Sequence, residues 1–272
     1  MAEDRLRVLV IGAHPDDSDF GAGGVAALYA RQGHQVLFVS VTNGDAGHHQ
    51  SGGALLAQRR RAEARSAGAA IGIEYQLLDI HDGELLPTLE NRRRIIELIR
   101  TFRPDLVMSP RPNDYHPDHR YTAQLIQDAA YMVTVPNVCA FVPHLPRNPV
   151  IVYMSDTFQK PYPFAPDVVV SIDEVVEQKV DMLDAHVSQV YEWLPYNGGY
   201  LDQVPAGPQE RRAWLRQHMD ERMRRDAERY RELLIARYGE QAGRAVQYAE
   251  AFESCEYGAP LTEQNVKRLF PF

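Results

Sequence analysis

Two short stretches carry metal-ligating and acid–base side chains at a spacing that suits chemistry better than packing. They are AHPDD, from Ala13 to Asp17, and NDYHPDHR, from Asn113 to Arg120. In the first, His14 and Asp17 stand three residues apart. Pro15, between them, bends the chain and cannot continue a strand ladder, so both side chains can turn toward one point. Imidazole plus carboxylate is a ligand set for a borderline divalent metal such as zinc, and a catalytic zinc usually has three protein ligands and an open position. His119 or His116 offers the third. Zinc lowers the pKa of a water it binds to roughly 7, and Asp16 is the carboxylate left over to take that proton. The spare histidine, His116, suits an oxyanion, with Asp118 to hold it cationic. The chemistry implied is metal-assisted hydrolysis. A surface turn leading into a helix N-cap accounts for either tetrapeptide alone; it accounts poorly for two of them at strand ends of one sheet.

Both stretches follow apolar, β-branched runs. Residues 7–12, 35–42, 75–78 and 106–109 read as strands, and 23–32, 54–70, 89–102 and 122–130 as helices. This alternation predicts an α/β fold, a Rossmann-like parallel sheet with helices on both faces. The HPDD, TNGDAGHH and NDYHPDH stretches then gather at the carboxyl edge of the sheet, where such folds place their sites. Further on, 150–154 and 168–172 read as strands, 174–187 as a helix, 193–208 as a Gly-, Pro- and Tyr-rich loop, and 211–238 as one long charged surface helix. The expectation is a single domain over residues 1–272, with a Rossmann-like core at 1–135 and a C-terminal elaboration at 136–272 that carries the long helix.

The bulk composition narrows the class. Hydrophobic residues make up 44% and charged residues 24% of 272, ordinary for a globular protein with a sizeable core. The net charge of −8, with arginines scattered among acids, gives no footprint for nucleic acid. Cys139 and Cys255 lie far apart with no CxxC, which supports neither a disulfide framework nor a thiolate zinc site. No run approaches the ~20 apolar residues of a membrane span, and the start MAEDRLRVLVIG has no long apolar leader segment. A soluble, cytoplasmic protein is expected.

AHPDD, RRAE at 60–63 and YHPDHR resemble the PIG-L/LmbE-like family of zinc-dependent N-acetylglucosaminyl deacetylases, over roughly residues 5–190, with a weaker match in YAEAF at 248–252. The resemblance implies that His14, Asp17 and His119 hold the metal and that Asp16 is the general base. It implies that His116 stabilises the oxyanion with Asp118 as its orienting partner. It further implies that Arg60 contacts the sugar and that His186 lines the pocket, with Asn43 and Asp45 on the next loop meeting substrate hydroxyls. The implied activity is removal of an N-acetyl group from an amino sugar or GlcNAc-containing conjugate. The implied cofactor is Zn2+, with Fe2+ or manganese as other occupants of a two-His, one-carboxylate site. The implied assembly is a homo-oligomer, a trimer or hexamer. The sequence departs from the common pattern at Asp19, where many members have glutamate.

Other features weigh less. GAGG at 21–24 echoes a dinucleotide fingerprint, but HPDD occupies the turn that the fingerprint needs, so close helix–sheet packing explains these glycines better. His48 and His49 read as solvated side chains of a loop lid, Arg59, Arg60 and Arg61 as a charged helix face apart from the motif match of Arg60, and His81 and His34 as incidental. The competing functions are a zinc amidase on a non-sugar N-acyl substrate and a non-catalytic metal- or sugar-binding member of the fold. Asp16 and His116 argue against the second, since binding alone requires neither a base nor an oxyanion donor.

Overall fold

Val8, Leu9, Val10 and Ile11 are all buried, as a strand covered on both faces requires. They alternate between two cores: Val8 and Val10 belong to one hydrophobic cluster, Leu9 and Ile11 to the other, the period of two that separates the faces of a sheet. The computed structural model describes residues 5–272; residues 1–4, the start of the stretch read for a leader, lie outside it. The strands are β1 Arg7–Gly12, β2 Gln35–Thr42, β3 Glu74–Ile80, β4 Leu106–Ser109, β5 Val150–Met154, β6 Val168–Ser171 and β7 Ala249–Ser254. The helices are α1 Asp17–Arg31, α2 Gly53–Ile71, α3 Leu89–Phe102, α4 Pro117–Met132, α5 Val176–Ala185, α6 Leu194–Gly198, α7 Pro208–His218, α8 Asp220–Arg229, α9 Arg231–Tyr238, α10 Glu240–Ala245 and α11 Glu263–Leu269.

All seven strands form one sheet in the order β3-β2-β1-β4-β5-β7-β6. From β1 the chain moves outward through β2 to β3, then crosses back to place β4 on the other side of β1, with Val8 opposite Leu106 and Val10 opposite Met108. This reversal sets the loops after β1 and β4 side by side, the position at which open α/β sheets bind ligands.

The α/β fold is as expected, with β1–β5 parallel to one another, and the structure corrects three details. The sheet is mixed rather than parallel: β7, the last strand in sequence, inserts between β5 and β6 and runs antiparallel to both. Its alanines and Glu250 have weak strand propensity, which is why YAEAF read as a motif and not as a strand. The expected long helix at 211–238 is three helices, α7, α8 and α9, broken near Met219 and Tyr230. Leu215, Met219 and Met223 pack into one core, Ala227 and Leu234 into the other, so the segment passes from one face of the sheet to the other and has to bend. The expected loop at 193–208 is helical at its start, where a π-helical turn Ser188–Trp193 runs into α6.

One buried ion pair ties α1 to the C-terminal half. Lys179 Nζ lies 2.6 Å from Glu250 Oε1 and donates to the Phe20 carbonyl, while Glu250 accepts from the Gly24 and Val25 N–H groups. The GAGG glycines make this approach possible: a Cβ on Gly24 would stand 2.7 Å from Ile172 Cγ2, and one on Gly21 would stand 2.5 Å from Met154 Sδ. Among the described residues, no helix is long and apolar enough to cross a membrane. Glu250→Ala strands a buried ammonium and two helix N–H groups, so urea denaturation should show a loss of about 3–5 kcal/mol. Pairing it with Lys179→Met should recover most of that loss.

Candidate metal centre

β1 ends at Gly12, where a Cβ would stand 2.7 Å from the Asp17 side chain. The chain then turns back on itself, with the Asp16 N–H bonded to the His14 carbonyl at 2.9 Å. Asp17, the first residue of α1, accepts from the Ala13 and His14 N–H groups at 2.9 and 2.7 Å. That hairpin of backbone fixes the His14 and Asp17 side chains on one side. Across the sheet, His116 caps α4 and Pro117 opens it, which places His119 in the first helical turn.

Three donor atoms converge: His14 Nδ1, Asp17 Oδ2 and His119 Nε2. They stand 3.1 Å apart between the imidazoles, 3.4 Å from His14 to Asp17 and 3.3 Å from His119 to Asp17. Donors about 2.0–2.1 Å from a zinc ion at tetrahedral angles stand about 3.3 Å apart. The other nitrogen of each imidazole faces a carboxylate: His14 Nε2 lies 3.2 Å from Asp82 and 3.3 Å from Asp118, and His119 Nδ1 lies 3.1 Å from Asp114. Carboxylates in that position fix the orientation and raise the basicity of metal-ligating histidines. The residues present therefore fit a divalent cation. The field agrees with the geometry. Burial alone would lower the His14 imidazole, yet Asp118, Asp17 and Asp82 hold it well above its usual range. Burial likewise disfavours charged His119, and Asp17 and Asp114 push it up to about 10. The pocket demands positive charge.

The remaining groups are arranged around this trio. Burial raises Asp16 to about 6 against the opposing pull of Arg60, and Asp17 raises it further. Arg60 reaches Asp16 at 3.4 Å and Asp82 at 3.6 Å. His116 lies with its ring 4.6 Å from that of His14, edge to face. Its Nδ1 accepts from the Asp118 backbone N–H at 3.2 Å, so the proton sits on Nε2. Burial, and then His14 and His119, lower its pKa.

Residues 9–130 match the family described as GlcNAc-PI de-N-acetylase, PIG-L. The chain is 31% identical over 210 residues to the diacetylchitobiose deacetylase of Thermococcus kodakarensis, covering 71% of this chain and 75% of that one. It belongs to the GlcNAc-PI de-N-acetylase family. It is also 26% identical over 208 residues to the 4-oxalmesaconate hydratase of Pseudomonas putida, covering 69% of this chain and 76% of that one. In fold it matches the N,N'-diacetylchitobiose deacetylase from Pyrococcus horikoshii with a TM-score of 0.68 at 24% identity, over 93% of this chain and 85% of that one.

Of the positions that the family resemblance implied, the structure gathers His14, Asp16, Asp17, His116, Asp118 and His119 at one point. It places the others differently from expectation. Asp118 turns its carboxylate to His14 and the Gly83 N–H, and it meets His116 through its backbone. Arg60 is only 2% exposed and bonds the Pro15 and Gly44 carbonyls besides Asp16, so its guanidinium faces protein rather than an open cleft. Asn43 bonds Asp79 and the Asp45 N–H, while Asp45 bonds His81 and the Asp82 N–H; both hold the loop that carries Asp82. His186 is 0% exposed and lies 3.2 Å from Asp19, which also accepts from Tyr75; it sits within the protein and does not line a pocket. His48 is not a solvated lid residue, since it bonds Glu192, which Arg59 grips with two nitrogens at 2.7 Å. His49 stacks on Tyr196 at 4.0 Å.

Sequence reasoning missed Asp82, Asp114 and Tyr115. Asp114 and Tyr115 stood inside the quoted NDYHPDHR, and Asp82 stood in a turn after β3 at the same sheet edge; only their histidine neighbours drew notice. Tyr115 is 72% exposed, its ring 5.7 Å from those of both His116 and His119. Asp82→Asn should weaken zinc binding about 10–100-fold, read by competition with a chromophoric chelator. His119→Ala should purify with little bound metal, read by elemental analysis.

Proposed function

We propose that this protein is a zinc-dependent N-deacetylase that releases acetate from an N-acetylglucosamine-containing conjugate. The observation that carries the reading is the buried carboxylate of Asp16, held by Arg60 at 3.4 Å, beside three converging ligand atoms at the strand-order reversal. A cation would be held by His14, Asp17 and His119 and would supply Lewis-acid polarisation of an amide carbonyl and a water of lowered pKa. The chain's own residues do the rest. Asp16, raised by burial to about 6, accepts a proton from the attacking water near neutral pH. His116 presents Nε2–H toward the developing oxyanion as a neutral imidazole. Asp16 then returns its proton to the leaving amine, so the reaction ends with acetate, a free amino sugar and the base restored. Arg60 keeps Asp16 oriented without reaching substrate. The names of the curated relatives, most of them deacetylases of GlcNAc-containing compounds, support this substrate class. The proposal extends to one catalytic domain spanning the chain, acting in the cytoplasm as a homo-oligomer.

The test is fluorescamine detection of amine released from N-acetylglucosamine and diacetylchitobiose, with protein as purified, after chelation and after zinc is restored. Activity that chelation abolishes and zinc restores supports the reading. Asp16→Asn should then retain its metal and lose about 10²–10⁴-fold in kcat. Full activity in Asp16→Asn removes it as the base. Amine release from neither substrate, alongside hydration of 4-oxalmesaconate, moves the chain to the side of its hydratase relative.

A further inference from the structure

Beyond the ligand cluster, the face of α1 that begins at Asp16 and Asp17 continues one turn later at Phe20, since residues three and four apart share a helix face. The guanidinium of Arg222, on α8, lies over the Phe20 ring at 4.4 Å. Phe20, Arg222 and Arg225 help to line a cavity of about 40 Å³ together with Ser155, Asp226 and the Lys179–Glu250 pair. At about 10–15 Å³ per water, such a space has the size of a carboxylate or phosphate group rather than a sugar.

The charges of this cavity do not balance. Lys179 is matched by Glu250 at 2.6 Å, and Arg225 faces Asp226 at 3.6 Å. Arg222 has no carboxylate within ion-pair distance among the described residues. It is exposed to water, and its guanidinium rests on the Phe20 ring in the wall of this cavity. An exposed guanidinium with no carboxylate partner, at the wall of a cavity, is free to meet an anion from solution. A second route leads to the same place. Tyr115 packs against His116 and His119, and Phe158 lies 6.2 Å from the Tyr115 ring. The segment holding Phe158 starts at Ser155, which bonds Asp226 at 3.0 Å. Two segments thus run between the ligand cluster and this cavity: α1, from Asp17 to Phe20, and 155–158, from Phe158 beside Tyr115 to Ser155 in the cavity wall.

We propose that Arg222, seated on Phe20 and backed by Arg225, is a specificity residue that binds a carboxylate or phosphate carried by the substrate beside its N-acetylated sugar. This rests on the deacetylase reading and names the class of conjugate within it. The planar guanidinium fork suits either anion, and the neighbouring aromatic ring orients it.

The test compares kcat/KM for N-acetylglucosamine 1-phosphate and a GlcNAc–malate conjugate with that for N-acetylglucosamine and diacetylchitobiose, in zinc-restored wild type, Arg222→Gln and Arg222→Lys. The anionic substrates should be favoured about tenfold or more, chiefly through KM. Arg222→Gln should cut the anionic-to-neutral ratio about ten- to a hundredfold, and Arg222→Lys should retain part of it. The two anionic arms separate phosphate from carboxylate. A wild-type ratio near or below one for both anions overturns the inference and leaves deacetylation standing. So does an unchanged ratio in Arg222→Gln, the result expected if Arg222 merely adjusts the field at Asp16. If no substrate releases amine, the deacetylase reading fails and calorimetry decides the rest. Binding of N-acetylglucosamine 1-phosphate that Arg222→Gln weakens tenfold keeps the anion site, and equal binding by both proteins removes it.

Discussion

The structure is organised around a concentration of negative charge that no small set of side chains could carry alone. Asp16, Asp17, Asp82, Asp114 and Asp118 surround three imidazoles at the point where β1 and β4 deliver their loops. Burying carboxylates is costly unless each is paired or hydrogen-bonded. Asp17 takes two backbone N–H groups and Asp118 takes the Gly83 N–H. Asp16 and Asp82 share Arg60. What remains is answered by the imidazoles of His14 and His119, whose raised pKa values are the protein's own response to the surrounding carboxylates. A bound cation answers the same carboxylates, so metal binding and the rigidity of the site are linked.

Arg60 explains why the loops beyond the ligands look as they do. Its guanidinium occupies the space where loops 43–47 and 81–83 meet. Gly44 has φ +73, and a Cβ there would stand 2.6 Å from Arg60 Nη1; at Gly47 the distance would be 2.9 Å. The glycines of TNGDAG are therefore spaces left for an arginine, and Asn43 and Asp45 lock the loops over it. Further out, the fork of Arg59 on Glu192 ties α2 to the π-helical turn, and the same turn holds the loop through Glu192 on His48 and Gln189 on the Gly47 carbonyl. The charged run on α2 serves two neighbouring purposes: one arginine balances the site and the next fastens its cover.

How much of this could be read in advance depends on whether a signal was local. The strands β1, β2 and β4 fell where unbroken β-branched runs placed them, and the six polar residues of the HPDD and HPDH motifs that were singled out do converge. Helix α1 starts at Asp17 rather than residue 23, because favourable acidic residues in the first turn outweigh the low propensity of the GAGG glycines that had seemed to delay it. β7 escaped notice because its place depends on a gap between β5 and β6 and on Lys179 arriving to meet Glu250. Asp82 and Asp114 escaped for the same reason: an aspartate in a turn carries no sign of which histidine it will face. The roles assigned to Arg60, Asn43, Asp45 and His186 assumed an open cleft, whereas packing turned all four toward protein. Residue type showed that they were special, but only the fold shows what they face.

This division separates the ligand cluster from the groups around it. The ligand cluster depends on backbone pairing between β1 and β4 and on two short turns, features that follow from local sequence. The groups around it come from elsewhere: Tyr115 beside His116 and His119, Phe158 on the 155–158 segment against Tyr115, and, in the proposed anion site, Arg222 on the bent helical run that crosses from one sheet face to the other. Those are the parts that sequence pattern described least well, because their positions are set by tertiary packing. Activating a water requires only the centre. Which bond that water meets is chosen by the groups around it. Relatives named as deacetylases and one named as a hydratase both match this chain, so a difference in reaction has to come from the groups around such a cluster rather than from the fold alone.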